Sequence, residues 1–256
     1  MSATTHADTF SEQFHRSLVM AHRGNSAFAP ENTLVAFEQA LEIGADGCEC
    51  DVHATADGEI VVIHDATVDR TTDGTGAIGQ MTLEQVRALD AGSWKGAEFA
   101  GEKVPLLAEV LETHIGRAML YIEIKDYQCT RRVLEVIDRC EAREWVAPCS
   151  FSYEVCVEAR KLRPELPVAL IYAGGASPKP PKELVNLALV GNLQALSVTH
   201  ADVTPELVVR CRQCGVGLWV WTVDDPERLA KLSRMRVGNI VSNDPALALK
   251  VCYNEH

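Results

Sequence analysis

Ionisable residues in this sequence gather at the ends of short apolar runs. His22-Arg23-Gly24 closes one run, Glu49-Cys50-Asp51 a second, His64-Asp65 follows Val61-Val62-Ile63, and Glu123-Ile124-Lys125 ends a fourth. If these runs are strands, alternation puts Glu49 and Asp51 on one face, and likewise Glu123 and Lys125. Charged side chains facing an interior are costly unless paired or bound to a metal. Three neighbouring carboxylates repel one another, and a divalent cation relieves that. Oxygen-only ligands favour Mg²⁺ or Ca²⁺ over zinc. Arg23 and Lys125 add two groups that can hold phosphoryl oxygens. His22 and His64, with an ordinary pKa near ~6.5, can serve as base and acid around neutrality. Together the set suits cleavage of a phosphate ester.

The positioning elements follow from the patterning. Strand-like runs fall at Ser17–His22, Gly47–Asp51, Met119–Lys125, Val146–Phe151, Val168–Tyr172, Ala195–Thr199, Gly217–Thr222 and Asn239–Ser242. Between them lie helical patterns at Thr33–Ile43, Leu106–Ile115, Thr130–Ala142, Tyr153–Leu162, Lys182–Leu189, Thr204–Cys214 and Asp225–Met235. Asn32 reads as an N-cap and Gly44 as a C-terminal stop. Eight strands alternating with helices predict an α/β fold, a closed (β/α)8 TIM barrel. The alternative is an open doubly wound sheet, but no G-x-G-x-x-G follows the first run.

One segment breaks the alternation. Residues 52–105 form an expected insertion after the second strand, a hairpin turning at Asp57-Gly58, a Gly- and Thr-rich stretch at Thr71–Gly79 and a small helix near Leu83–Leu89. Because it leaves the end of a strand, it belongs at the C-terminal mouth of the barrel. With Asp57-Gly58 as a two-residue loop, Asp51 faces His64 and His53 faces Val62. That register would deliver His64 beside the carboxylates.

The chain has 256 residues, 47% of them hydrophobic, and a net charge of −12. This accommodates one barrel at residues 17–256, preceded by a polar leader at 1–16 expected to be flexible. The acidity argues against nucleic-acid and anionic-membrane partners. No run reaches the ~18 apolar residues of a membrane span, so no membrane insertion is expected. No signal peptide is visible, and nine scattered cysteines read as reduced side chains in a cytoplasmic protein. Cys211-x-x-Cys214 lacks the second pair that a zinc site needs.

Ala21-His22-Arg23-Gly24, Pro30-Glu31-Asn32-Thr33, Glu49-x-Asp51-Val52, Val61-Val62-Ile63-His64-Asp65, Glu123-x-Lys125 and Trp219-Val220-Trp221-Thr222-Val223-Asp224, taken in order, resemble the glycerophosphodiester phosphodiesterase family. The resemblance runs from about Leu18 to Leu247. It implies metal-dependent hydrolysis of a small glycerophosphodiester to glycerol 3-phosphate and an alcohol. By motif, Glu49, Asp51 and Glu123 would bind Mg²⁺ or Ca²⁺, and His22 and His64 would be base and acid, in either order. Arg23 and Lys125 would bind phosphate. Trp221 reads as a wall for the glycerol or as core, and Glu31 and Asn32 as supporting residues. His53 stands where the family usually has a non-ionisable residue; His53 and His200 read as rim. The assembly is expected to be a monomer or homodimer. Alternatives are a lysophospholipid-type phosphodiesterase using the same site, and a non-catalytic binding barrel, which should lack a histidine or metal carboxylate; none is missing. A zinc amidohydrolase would need His-x-His where His22-Arg23 stands.

Overall fold

A computed structural model describes residues 16–253. Nine strands are present among the described residues: β1 (Leu18–His22), β2 (Gly47–Ala54), β3 (Ile60–Val62), β4 (Met119–Ile124), β5 (Val146–Ser150), β6 (Ala169–Tyr172), β7 (Ala195–Thr199), β8 (Gly217–Trp221) and β9 (Asn239–Ser242). All but β3 are parallel neighbours in the order β1-β9-β8-β7-β6-β5-β4-β2, and β1 also pairs with β2. The sheet therefore closes into an eight-stranded parallel barrel, and the doubly wound alternative falls. The predicted leader lies outside the described residues except for Arg16, whose guanidinium is 3.3 Å from Asp46 and stacks on Tyr253.

The crossover helices are α1 (Leu34–Ile43), α3 (Leu107–His114), α4 (Thr130–Arg139), α5 (Tyr153–Leu162), α6 (Pro181–Val190), α7 (Pro205–Cys214) and α8 (Pro226–Arg234); α2 (Leu83–Ala88) lies in the insertion and α9 (Pro245–Tyr253) closes the chain. Their ends obey local chemistry. The side chains of Thr204 and Asp225 accept from the backbone three residues on, and proline follows each. At α1 the expectation needs correcting: Thr33, not Asn32, is the N-cap, accepting from Ala36 N. Asn32 takes a left-handed φ of 59° that swings its side chain toward the barrel.

Two apolar layers result. Outward-facing strand residues such as Val19, Cys48, Cys50, Leu120 and Ile122 pack under the helices. Inward-facing Met20, Tyr121, Ala147, Ala169, Ile171 and Val241 fill the barrel itself. The insertion carries its own small core of Val61, Ile63, Val68, Ile78, Val86, Ala91 and Val104, so it is a built platform.

The hairpin register differs by one residue from that expected. Val52 pairs with Val62 and His53 with Val61, while Ile63 N–H donates to Asp51 O at 2.9 Å. The turn is the cause. Thr55 N–H donates to Glu59 O, leaving Ala56, Asp57 and Gly58 as a three-residue loop with Gly58 at φ 85°. A left-handed third position is the geometry of this loop length. Asp51 therefore faces Ile63, and His64 lies just past the ladder.

Candidate active site

The C-terminal ends of β1, β2 and β4 deliver the charged residues. Glu49 and Asp51 point inward from β2, beside Glu123 on β4, which is the register partner of Asp51. Among the described residues these three form the one group of His, Cys, Asp or Glu side chains placed to hold a metal, with ligand atoms within 4.8 Å of one another. All three are buried. The pairing expected from strand alternation is realised here.

The cations beside them are spoken for. Lys125 Nζ is 2.8 Å from Asp51 Oδ1 and 2.7 Å from Glu123 Oε1. Arg23 Nε is 3.1 Å from Asp51 Oδ2, and its Nη1 donates to Glu31 Oε1 at 2.8 Å. Asn32 Nδ2 donates to Asp51 Oδ2 at 2.8 Å. Burial alone would raise the Asp51 carboxyl, yet Lys125 and Arg23 hold it well below its usual range. Glu49 has less help: Arg23 and Lys125 oppose its rise without cancelling it, its carboxylate accepts from the Arg23 backbone N–H at 3.3 Å, and His22 Nε2 lies 3.8 Å from its Oε2. Burial and the nearby Asp51 charge push Glu49 well above the usual carboxylate range, and push Glu123 up to about 7. Two cationic side chains against three buried carboxylates leave one negative charge uncompensated, and a divalent cation fits that deficit.

Each histidine is gripped at Nδ1. His22 Nδ1 lies 2.7 Å from Asn243 Oδ1. Asp224 fixes which way that amide points, because Asn243 Nδ2 donates to Asp224 Oδ2 at 2.6 Å and Ser26 Oγ donates to Asn243 Oδ1 at 3.0 Å. The oxygen therefore faces His22, so Nδ1 carries the proton and Nε2 is left with a lone pair. Burial, reinforced by the Arg23 charge, pulls His22 down to about 4 and keeps it neutral. His64 Nδ1 lies 2.6 Å from Asp65 Oδ1, and Arg70 holds Asp65 from behind through Nε at 2.7 Å. Hydrogen bonds from Arg70 keep the Asp65 carboxyl below its usual range. Both imidazoles line one pocket with Arg23, Glu49 and Glu123.

The far side of that pocket is apolar, made of Cys149, Phe151, Ile171, Trp219, Trp221 and Val241. Trp221 lies on the wall; its Nε1 donates to Ser197 O and its ring meets Phe151 edge-on at 5.6 Å. Trp219 stacks on Tyr121 at 4.0 Å. His53 faces inward and half-buried, with its Nε2 3.0 Å from His64 O. His200 lies on the rim, its carbonyl accepting from Arg228. Cys211 is buried, Cys214 exposed, and no disulfide joins any of the cysteines.

Asn243, Asp224, Asp65 and Arg70 were not assigned by sequence reasoning. For Asn243, Asp224 and Asp65 the signal was position alone, just beyond strand ends; Arg70, eight residues past β3, carried none. Glu31 joins both Arg23 and Arg70, accepting from Arg70 at 2.9 Å through each carboxylate oxygen.

With this geometry in view, comparison with known proteins is decisive. The model of the glycerophosphoryl diester phosphodiesterase family matches residues 22–247, which span the whole site. The chain belongs to that family. A glycerophosphodiester phosphodiesterase of Caldanaerobacter subterraneus subsp. tengcongensis is 39% identical over 236 residues, covering 90% of this chain and 95% of the relative. The crystal structure of a glycerophosphodiester phosphodiesterase from Agrobacterium tumefaciens superposes with a TM-score of 0.80 at 31% identity, covering 91% of this chain and 98% of that one. An Oleispira antarctica phosphodiesterase, solved in complex with the product sn-glycerol-3-phosphate, superposes with a TM-score of 0.83 at 28% identity, covering 96% and 98%. The chain is thus an enzyme of this family, a phosphoric diester hydrolase on a TIM barrel, with an acidic triad able to take a cation. No helix among the described residues is long and apolar enough to cross a membrane.

Proposed function

We propose that this enzyme hydrolyses small glycerophosphodiesters to glycerol 3-phosphate and an alcohol, with Mg²⁺ or Ca²⁺ held by Glu49, Asp51 and Glu123. The observation that carries the reading is that two imidazoles, each fixed at Nδ1, line one pocket with Glu49, Glu123 and Arg23. When bound, the cation supplies charge stabilisation to the phosphoryl oxygens.

The two histidines divide the proton transfers. Neutral His22, held by an amide, is the base and takes the proton of the glycerol 2-hydroxyl at Nε2. The hydroxyl oxygen attacks phosphorus. His64, whose Nδ1 faces an anionic carboxylate, gives a proton to the departing alcohol oxygen. Water then opens the resulting cyclic phosphate, with the two imidazoles exchanging roles. Arg23 and Lys125 hold phosphoryl oxygens, Glu31 and Asn32 orient Arg23 and Asp51, and Trp221 provides a flat wall. The work is cytoplasmic, in line with the reduced cysteines.

A second reading has one observation in its favour. The apolar wall carries no charged side chain and opens at Phe151, which is 51% exposed, so a lysophospholipid-type diester with an emerging acyl chain would fit the same site.

The test is release of glycerol 3-phosphate from glycerophosphocholine and glycerophosphoethanolamine, and of choline from lysophosphatidylcholine alongside, in EDTA and with added Mg²⁺ or Ca²⁺. Release from the glycerophosphodiesters, abolished by EDTA, is expected. No release under either metal would overturn the proposal.

A further inference from the structure

The residues that position the two phosphate-handling groups meet at one side chain. Arg70 lies in the insertion, eight residues after β3 ends. Its guanidinium grips two carboxylates. Nε donates to Asp65 Oδ2 at 2.7 Å and Nη2 to Asp65 Oδ1 at 3.3 Å, while Nη1 and Nη2 each donate to Glu31 at 2.9 Å. Asp65 holds the ring of His64, and Glu31 holds Arg23. A planar guanidinium suits this double grip, and an ammonium could not reproduce it.

The two arms are unequal. Arg23 keeps a second partner of its own in Asp51, at 3.1 Å, and Asp51 is in turn held by Asn32 and Lys125. Freeing Glu31 from Arg70 therefore leaves Arg23 anchored. Asp65 has no comparable support, since among the described residues its side chain is held by His64 and Arg70. His64 itself lies beyond the β3 ladder, tied at its carbonyl by His53 but dependent on Asp65 for the setting of its ring. Loss of Arg70 should thus disturb the imidazole more than the phosphate grip.

We propose that Arg70 is a positioning residue for His64, acting through Asp65 to aim the imidazole that protonates the leaving alcohol. The inference rests on the proposed function above and adds to it a residue and a direction of effect. It touches no reacting atom, so its signature is dependence on the leaving group. An alkyl alcohol such as choline needs a proton as it departs. A 4-nitrophenolate departs without one. Misaiming His64 should slow the first and spare the second.

The experiment compares the wild type with Arg70→Gln and Asp65→Asn on glycerophosphocholine and on sn-glycerol 3-(4-nitrophenyl) phosphate. For Arg70→Gln we expect kcat on the choline ester to fall about tenfold or more, a part of what acid–base assistance provides, with KM and the first-turnover burst of 4-nitrophenolate changed less than about threefold, because that burst precedes the opening of the cyclic phosphate in which His64 serves both esters. Arg70→Gln/Asp65→Asn should be no slower than Asp65→Asn, because the two act as one unit. Arg70 is partly exposed, and such ion pairs contribute little to stability, so thermal melting should hardly move. A nitrophenolate burst slowed as much as the choline kcat, a loss in KM instead of kcat, or additive effects in the double variant would overturn the role of Arg70 alone. A wild type that cleaves neither ester would overturn the proposed function, and this inference with it.

Discussion

The ring of His22 meets the side chain of Asn243 at 2.7 Å, although 221 residues of chain separate them. Barrel closure makes the contact, because β1 pairs with β9 and Asn243 directly follows β9. The bond sets which nitrogen of His22 faces the pocket. In Asn243→Ala the imidazole keeps its place on β1 but loses its tautomeric bias. We expect kcat to fall about tenfold or more, within the range second partners of active-site histidines command. Steady-state kinetics on glycerophosphocholine checks it; an unchanged kcat would remove Asn243 from the account. Asn243→Asp should move the acid limb of the kcat/KM profile upward, since a carboxylate there favours the protonated ring.

Asn32 is expected to act on the cation through Asp51. Its amide donates to the carboxylate at 2.8 Å, and its left-handed backbone is a conformation asparagine tolerates better than alanine. Asn32→Ala should weaken divalent-cation affinity by about 10–100-fold, the usual cost of losing a group that orients a ligand. Isothermal titration with Mg²⁺ and Ca²⁺ measures it directly.

The same titration should depend on pH in a stated direction. Burial and Asp51 raise Glu123 to about 7, and Glu49 is raised in the same sense. Below about pH 7 the metal-free triad therefore holds at least one proton that cation binding must release. Affinity should rise from pH 6 to pH 8, and heats measured in buffers of different ionisation enthalpy should report proton release near pH 6.5. The linkage also applies to stability. A carboxyl raised in the folded state stabilises below its unfolded value, and that contribution is lost as pH rises through about 7. His22 and His114, each lowered to about 4, and His53, lowered in the same sense, act oppositely, and their contribution is complete only about a unit above the ordinary histidine value of ~6.5. Above that, the metal-free protein should lose stability with rising pH, and the stabilisation conferred by added cation should grow.

Gly24 tests the backbone that carries Arg23. Its φ is 81°, and a Cβ there would lie 2.5 Å from Ala36 C and 2.7 Å from Ala36 O, in the first turn of α1. A helix backbone cannot yield as a side-chain tip can. Gly24→Ala should cost about 2 kcal/mol or more, combining left-handed strain with overpacking. Denaturant unfolding measures it. A smaller cost would mean that α1 shifts to make room.

Much of this was legible in the sequence because alternation is a local rule. Glu49 with Asp51, and Glu123 with Lys125, needed only period two to be placed together, and β7 and β9 fall where the apolar runs lie. What sequence could not supply were contacts set by turn geometry or closure. One left-handed residue at Gly58 moved the hairpin register, and His64 reaches the pocket from beyond the ladder instead of from a paired position. Asn32 looks like a helix cap in sequence, but Thr33 takes that bond and Asn32 serves Asp51. Helix α9 did carry a readable start, Asp244-Pro245 with Asp244 Oδ1 accepting from Leu247 N, that apolar patterning alone passes over. Arg70 lies in a stretch without periodicity, so nothing local announced its two carboxylate partners.

The most direct test of the central claim is the rate of glycerol 3-phosphate release by Glu49→Gln and His64→Ala beside the wild type, at saturating Mg²⁺ and again at saturating Ca²⁺. If the triad holds the cation and His64 protonates the leaving group, each variant should lose about a hundredfold or more in kcat under both metals, while remaining folded by circular dichroism. Wild-type kcat in a folded Glu49→Gln would contradict the metal site, and wild-type kcat in a folded His64→Ala would contradict the acid.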